Sequence, residues 1–210
     1  MPELTCNCGV DPKEAKRIVL TGGPGAGKSA VLSVLRKTLG THVTILPEAA
    51  SILFSGGFPR SPTLPGLKAA QRAIFRVQGE LERMAQEEGR AGIILCDRGA
   101  LDGLAHWPGS NRTFFEEMAA SREELYQRYA LVIHLRTPCV EPGYTPLNPC
   151  RLEHPEAAIA IDHRIEKAWA GHPRRVVVGN ASHFPEKVRQ AVELVRSALP
   201  AECHFAPTPV

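Results

Sequence analysis

Short apolar runs alternate with longer amphipathic segments along most of this 210-residue chain. The short runs have the length and β-branched content of buried strands, and the longer segments repeat apolar residues at steps of three and four, as helices do. Strands are predicted at 17–21, 42–46, 91–96, 130–135 and 175–178, and helices at 28–39, 67–88, about 113–129, 156–170 and 185–199. This alternation predicts a three-layer α/β fold with a mostly parallel five-stranded sheet.

Polar residues follow each predicted strand. In chain order, the five strands are followed by segment 22–29, Glu48, Asp97 with Arg98, Arg136, and Gly179 with Asn180. Ligands of parallel sheets bind at the carboxyl ends of the strands. We therefore expect these residues to meet at one edge of the sheet.

The segment 22–29 carries the most specific pattern, Gly-Gly-Pro-Gly-Ala-Gly-Lys-Ser, between the first strand and the first helix. Its glycines allow backbone N–H groups to surround phosphate oxygens, while Lys28 can reach the outer phosphates and Ser29 can bind Mg²⁺. The pattern predicts a P-loop at the positive end of a helix. The predicted nucleotide-binding residues are Gly22, Gly23, Pro24, Gly25, Ala26, Gly27, Lys28, Ser29 and Ala30, together with Asn180.

Two further strand ends supply charged groups for this site. Asp97 is the predicted metal-side carboxylate, with a helix cap as the alternative. Arg98 can hold a phosphate or the acceptor molecule, or else form an ion pair with Asp102. Glu48 can take the proton of an acceptor hydroxyl or orient a water molecule, or it is simply a first-turn glutamate favoured by the helix dipole.

The predicted helix 67–88 carries two stripes. An apolar stripe predicts its core face, formed by Leu67, Ala70, Ile74, Val77, Leu81 and Met84. The adjacent stripe, Gln71, Phe75, Gln78 and Glu82, pairs an aromatic ring with amides that could bind a flat acceptor. Phe75 and Gln78 are therefore candidate substrate-binding residues beside Glu48 and Arg98, and a core role for Phe75 is the alternative.

A proline-rich stretch at 137–155 is predicted to be a lid. Phosphoryl transfer needs charge stabilisation that a mobile arginine can bring in on closure. Arg136, Arg151 and Arg164 are the candidates, and Arg151 is preferred. The predicted organisation is a tail at 1–15, one domain at 16–200 that includes the lid, and a tail at 201–210.

Composition excludes several classes of protein. The formal net charge of +3 gives no reason to expect nucleic-acid binding, and no apolar stretch approaches the length of a membrane span. A cytoplasmic protein with mostly free cysteines is expected. Cys6, Cys8, Cys203 and His204 could together supply four zinc ligands, but disordered tails are the favoured interpretation.

Three motifs together resemble a known family: the phosphate loop, Pro-Glu-Ala-Ala at 47–50, and Asp-Arg-Gly-x-x-Asp at 97–102. They are similar to those of the AAA-like P-loop ATPases grouped with bacterial ribosylnicotinamide kinase and the translocation-defect ATPases. More loosely, the layout resembles thymidylate and deoxynucleoside kinases. The resemblance implies that 22–29 holds the nucleotide phosphates, Asp97 the metal region, Arg98 the acceptor or phosphates, and Glu48 the acceptor site.

Two functions fit these residues. The first is a Mg²⁺-dependent kinase that transfers the γ-phosphoryl group of ATP to a hydroxyl of a small, nucleoside-like acceptor. The second is a nucleotide-dependent switch or binding module without such an acceptor. ATP is the default nucleotide because the sequence has no Asn-Lys-x-Asp guanine motif. The oligomeric state is left open.

Overall fold

The computed structural model describes residues 14–138, 155–180 and 184–200. Within them, five strands form one sheet: β1 Lys16–Thr21, β2 Val43–Leu46, β3 Ile93–Asp97, β4 Leu131–Leu135 and β5 Arg175–Val178. The strand order is β2-β3-β1-β4-β5, and all described neighbours are parallel. The predicted α/β class is confirmed.

Helices cover both faces of this sheet. They are α1 Lys28–Leu39, α2 Ala49–Ser55, α3 Leu64–Glu88, α4 Asn111–Met118, α5 Arg122–Gln127, α6 Pro155–Ala168 and α7 Phe184–Ala198, with 3-10 segments at Gly40–His42 and Ala100–His106. Apolar residues of α1 and α7 pack on one face, and those of α3 to α6 pack on the other. Alternation along the strands explains this division, since Ile18 and Leu20 contact the first layer while Val19 contacts the second.

The predicted core face of α3 is wrong in part. Leu67 and Met84 are 40% and 47% exposed, whereas Gln78 and Glu82 are 3% and 0% exposed. The helix turns its polar stripe inward because Glu82 finds partners there: the buried Gln78 and Tyr129, and the half-buried guanidinium of Arg128 at 2.7 Å. A buried carboxylate is tolerated when it is paired in this way.

Capping residues set two helix boundaries that the prediction missed. Helix α3 begins earlier than expected because the side chain of Thr63 accepts a hydrogen bond from the Gly66 N–H. The predicted segment 113–129 is two helices, separated at Ala119 with its φ of 51°. Ser121 and Glu124 form a capping box that starts α5.

The cysteine prediction holds for Cys96, and other predictions lie outside the described residues. Cys96 is a buried free thiol. Nearly all of the predicted lid, including Arg151, lies outside, as do the tails up to residue 13 and from 201, and with them the cysteine cluster at the two ends. None of the helices in the described part of the chain is long and apolar enough to cross a membrane.

Candidate functional site

The phosphate loop lies between β1 and α1 and depends on the backbone freedom of glycine. Gly22, Gly25 and Gly27 have φ values of 136°, 79° and 97°, and Gly27 is the N-cap of α1. At Gly22 an added Cβ would stand 2.1 Å from the carbonyl oxygen of Leu135. The loop is therefore pressed against the end of β4 in a conformation that side chains rarely adopt.

We expect Gly22→Ala to lower the free energy of unfolding by about 3 kcal/mol or more, since it adds both backbone strain and a backbone clash. Gly40→Ala is the matched control: its φ is also positive, at 50°, but nothing lies within 4 Å of the added Cβ. That control should lose only about 1 kcal/mol. Urea unfolding measures both values, and equal losses would show that the contact with Leu135 is unimportant.

Lys28 folds back onto the loop. Its Nζ donates hydrogen bonds to the carbonyl oxygens of Gly22 at 2.9 Å and Gly23 at 3.2 Å. Burial, reinforced by the charge of Arg98, lowers the pKa of Lys28 to about 8. The ammonium group is thus held in an environment poor in water, where an added anion would stabilise it strongly.

Asp97 ends β3 near Lys28. Burial raises the pKa of its carboxyl to about 6, although the charge of Lys28 opposes the shift. Its Oδ1 is buried and has no hydrogen-bond partner. A buried oxygen without a partner costs free energy, so this carboxylate is suited to a ligand that the protein alone does not supply.

Arg98 and Glu48 form an ion pair across two strand ends. The Arg98 Nε donates to Glu48 Oε1 at 2.5 Å, and Ser51 donates to the other carboxylate oxygen. Burial opposes ionisation of Glu48, but Arg98 and Ser51 outweigh it and lower the pKa of that carboxyl. Arg98 has a φ of 72°, unusual for a residue with a side chain, and such strain is often found at functional sites.

The other proposed partner of Arg98, Asp102, has a largely structural role. It lies 3.9 Å from the guanidinium, while its two oxygens accept hydrogen bonds from Thr21 Oγ1 at 2.8 and 2.7 Å. Trp169 Nε1 donates to it at 2.6 Å and the Gly99 N–H at 3.3 Å. These bonds fasten the 3-10 helix to the end of β1, directly before the phosphate loop.

Asp162 on α6 supports the loop from the opposite side. Its Oδ1 accepts a hydrogen bond from the Gly23 N–H at 2.7 Å and lies 3.0 Å from His134 Nε2. Burial alone would raise the pKa of Asp162, but the bonds from His134 and Gly23 lower it to about 2. The carboxylate is therefore ionised at neutral pH and fixes one backbone N–H of the loop.

We expect Asp162→Asn to lower the free energy of unfolding by on the order of 2 kcal/mol near neutral pH. Because the folded-state pKa is depressed, the stabilisation is present above about pH 4 and is lost as pH falls towards about 2. The difference between variant and native protein should therefore shrink between these values. Chemical unfolding over this range measures it. Glu193→Gln, at a side chain that is 54% exposed, is the control and should change little.

A cavity of about 320 Å³ opens beside the phosphate loop. Pro24 of the loop borders it, and Glu48 and Arg98 lie in its wall. Helix α3 supplies Phe75 and Gln78 to the opposite wall. The predicted substrate-binding residues therefore line one cavity, and the ring of Phe75 also packs edge-on against the core residue Phe114.

Other predicted site residues lie elsewhere or are bound by neighbours. Ser29 and Ala30 are in the first turn of α1, where Ser29 is exposed. Asn180 donates to the carbonyl oxygen of Thr137 at 3.2 Å. The Thr137 hydroxyl in turn donates to the carbonyl oxygen of Pro24 in the phosphate loop. Arg136 is bonded to Glu166 and lies 3.7 Å from Asp162, and Arg164 is exposed on α6.

Sequence reasoning missed several residues around the cavity. Phe54, Arg60 and His106 also line it, and the guanidinium of Arg60 lies 4.0 Å from the ring centre of Phe54. Gln71, named above in the polar stripe of α3, lines the cavity as well. The others sit in segments without a sustained pattern. Among the described residues, no group of three or more His, Cys, Asp or Glu could hold a metal ion by itself.

Sheet order, phosphate loop and strand-end charges together define a P-loop nucleotide-binding domain. A family model described as an AAA domain matches residues 17–187, and the chain belongs to that family. This confirms the resemblance to AAA-like P-loop proteins. Comparison with curated proteins finds no match.

Solved structures share the fold at low sequence identity. NadR, in a complex with NAD and AMP-PNP, is 11% identical with a TM-score of 0.63, over 95% of this chain and 53% of NadR, so the chain spans about half of that protein. Thymidylate kinase from Candida albicans is 16% identical with a TM-score of 0.56, over 88% and 92% of the two chains. Deoxyadenosine kinase from M. mycoides, with bound dATP, is 14% identical with a TM-score of 0.54, over 86% and 99%.

Proposed function

We propose that the protein is an ATP-dependent phosphotransferase that moves the γ-phosphoryl group to a hydroxyl of a nucleoside-like acceptor. The observation that carries this proposal is the cavity itself, which runs from Pro24 of the phosphate loop to helix α3. Glu48 and Arg98 stand in its wall. A nucleotide switch would not need a second cavity beside the phosphates.

The lining of the cavity suits a flat molecule with a polar edge. Phe75 offers an aromatic surface, and Gln71 and Gln78 offer amide donors and acceptors. The ionised carboxylate of Glu48 can accept a hydrogen bond from an acceptor hydroxyl and direct its lone pair towards the phosphate. Arg98, held by Glu48, can neutralise charge on the transferred group. Kinases for nucleosides and nucleotides among the structural neighbours support this assignment.

Mg²⁺ fits the same site. Asp97 and Ser29 would hold it, and the unpartnered Oδ1 of Asp97 supports this, because a bound cation or its water would satisfy that atom. The ion would neutralise charge on the β- and γ-phosphates. Lys28 would leave the loop carbonyls for the outer phosphate oxygens, and Gly25, Ala26 and Gly27 would present backbone N–H groups to the remaining ones. The Gly23 N–H stays with Asp162, where it holds the shape of the loop.

Incubation of the protein with ATP, Mg²⁺ and a panel of nucleosides tests the proposal. Phosphorylated product, followed by chromatography or ³¹P NMR, is expected for at least one acceptor. A Glu48→Gln variant should retain nucleotide binding and lose transfer by about 100-fold. Hydrolysis of ATP that no acceptor stimulates would contradict the proposal and favour the switch instead.

A further inference from the structure

Glu82 forms a buried hydrogen-bond network whose direct link to the cavity is the side chain of Gln78. The carboxylate is fully buried. Its Oε1 accepts from Gln78 Nε2 at 2.8 Å and from the Tyr129 hydroxyl at 2.7 Å. Its Oε2 accepts from Arg128 at 2.7 Å, and Arg17 lies 3.6 Å away.

Every neighbour in this network acts as a donor to Glu82. The Ala100 N–H donates to the Tyr129 oxygen at 2.9 Å, so the hydroxyl proton of Tyr129 is free to point at the carboxylate. The two guanidinium groups carry only donors. Glu82 is therefore an acceptor on both oxygens, and Gln78 must turn its NH₂ group, not its carbonyl, towards it.

Gln78 also lines the cavity, so the orientation of its amide decides what it offers a ligand. Glu82 engages one N–H, which leaves the carbonyl oxygen and the second N–H in a fixed order. A free glutamine could rotate its amide by half a turn and exchange these two groups. The hydrogen bond to the buried carboxylate removes that choice.

We propose that Glu82 is a positioning residue that fixes the amide of Gln78, so that the cavity distinguishes acceptors by the order of donor and acceptor on their edge. The inference rests on the proposed function for the kind of molecule that fills the cavity. Adenosine and cytidine present an amino group beside a ring nitrogen that accepts. Inosine and uridine present a carbonyl beside a ring N–H, the reverse order on the same framework.

Calorimetry of nucleoside binding, with a non-hydrolysable ATP analogue and Mg²⁺ present, tests this without any transfer step. In at least one pair, adenosine against inosine or cytidine against uridine, the native protein should bind one member about 10-fold or more tightly. Glu82→Gln lets the amide of Gln78 adopt either orientation, since glutamine both donates and accepts. The affinity ratio should then fall to about 3-fold or less.

Two further variants serve as an alternative and as a control. Glu82→Asp retains the charge facing Arg17 and Arg128 but withdraws the carboxylate from Gln78, so it should also reduce the ratio if Glu82→Gln does not fold. Tyr129→Phe removes a different donor from the same oxygen and should lower stability while leaving the ratio unchanged. Equal affinities in the native protein, binding of none of the four, or a ratio that survives both Glu82 variants would overturn the inference. Selective binding without any phosphorylated product would instead overturn only the proposed function.

Discussion

Lys28→Ala should abolish phosphoryl transfer, with a loss of about 1,000-fold or more in kcat/KM for ATP. The ammonium group is the nearest cation that the phosphate loop itself provides, and it acts in a partly dehydrated environment where charge interactions are strong. Removing it takes one donor from each of the carbonyl oxygens of Gly22 and Gly23, and Arg98 still lies 3.4 Å from that of Gly22. Steady-state kinetics and nucleotide titration together measure the effect.

The fold should survive this substitution, because burial of the Lys28 charge is unfavourable in the protein without nucleotide. Lys37→Ala, at an exposed site on the same helix, is the matched control and should keep full activity. Turnover that Lys28→Ala leaves unchanged would refute the assignment of the loop.

The nucleotide affinity of the native protein should depend on pH. Since the pKa of Lys28 is about 8 without ligand, nucleotide affinity should decline as pH rises above that value.

Asp97→Asn should reduce transfer by about 100-fold while making the protein without ligand more stable. The loss follows from removal of the carboxylate that we propose binds Mg²⁺. The gain follows from the raised pKa, since the folded state binds a proton more tightly than the unfolded chain does. Ionisation of Asp97 therefore destabilises the fold as pH rises from about 4 through about 6, and asparagine avoids this.

Thermal unfolding at several pH values separates the two effects of Asp97→Asn. The increase in Tm should be largest above about pH 6, where it amounts to several degrees for on the order of 2 kcal/mol, and should shrink towards about pH 4. Mg²⁺ with nucleotide should stabilise the native protein more than the variant. A variant that is less stable than the native protein at about pH 8 would show that Asp97 has a structural role instead.

Much of the fold could be predicted because its strands are short and apolar, and β3 and β4 are nearly fully buried. Helix α1 has the predicted bounds, since its apolar residues face one layer and glycines flank it. The apolar periodicity of α3 misled the prediction of its core face, because pattern alone does not reveal that Glu82 meets Arg128 and Arg17 in space. The break before α5 was readable from Ser121 and Glu124, a local capping signal.

Some residues of the candidate site could also be predicted from the sequence, and others could not. Glu48, Asp97 and Arg98 could be named because parallel strands bring their carboxyl ends to one edge. Asp162 could not, since it lies 139 residues from Gly23 along the chain and sits on a helix with no unusual local pattern. The cavity wall depends on how α2 and α3 pack over the strand ends, and no local feature of the sequence sets that packing.

The two halves of the site are supported by different parts of the chain. The phosphate loop is buttressed by the end of β4 and by Asp162 on α6, whereas much of the cavity wall comes from α2, α3 and the 3-10 helix. Apart from Ser51, which bonds to Glu48, residues of α2 and α3 can therefore change the shape of the cavity while the loop keeps its contacts with Leu135 and Asp162. The architecture thus separates the part that sets which molecule fits from the part that holds the loop.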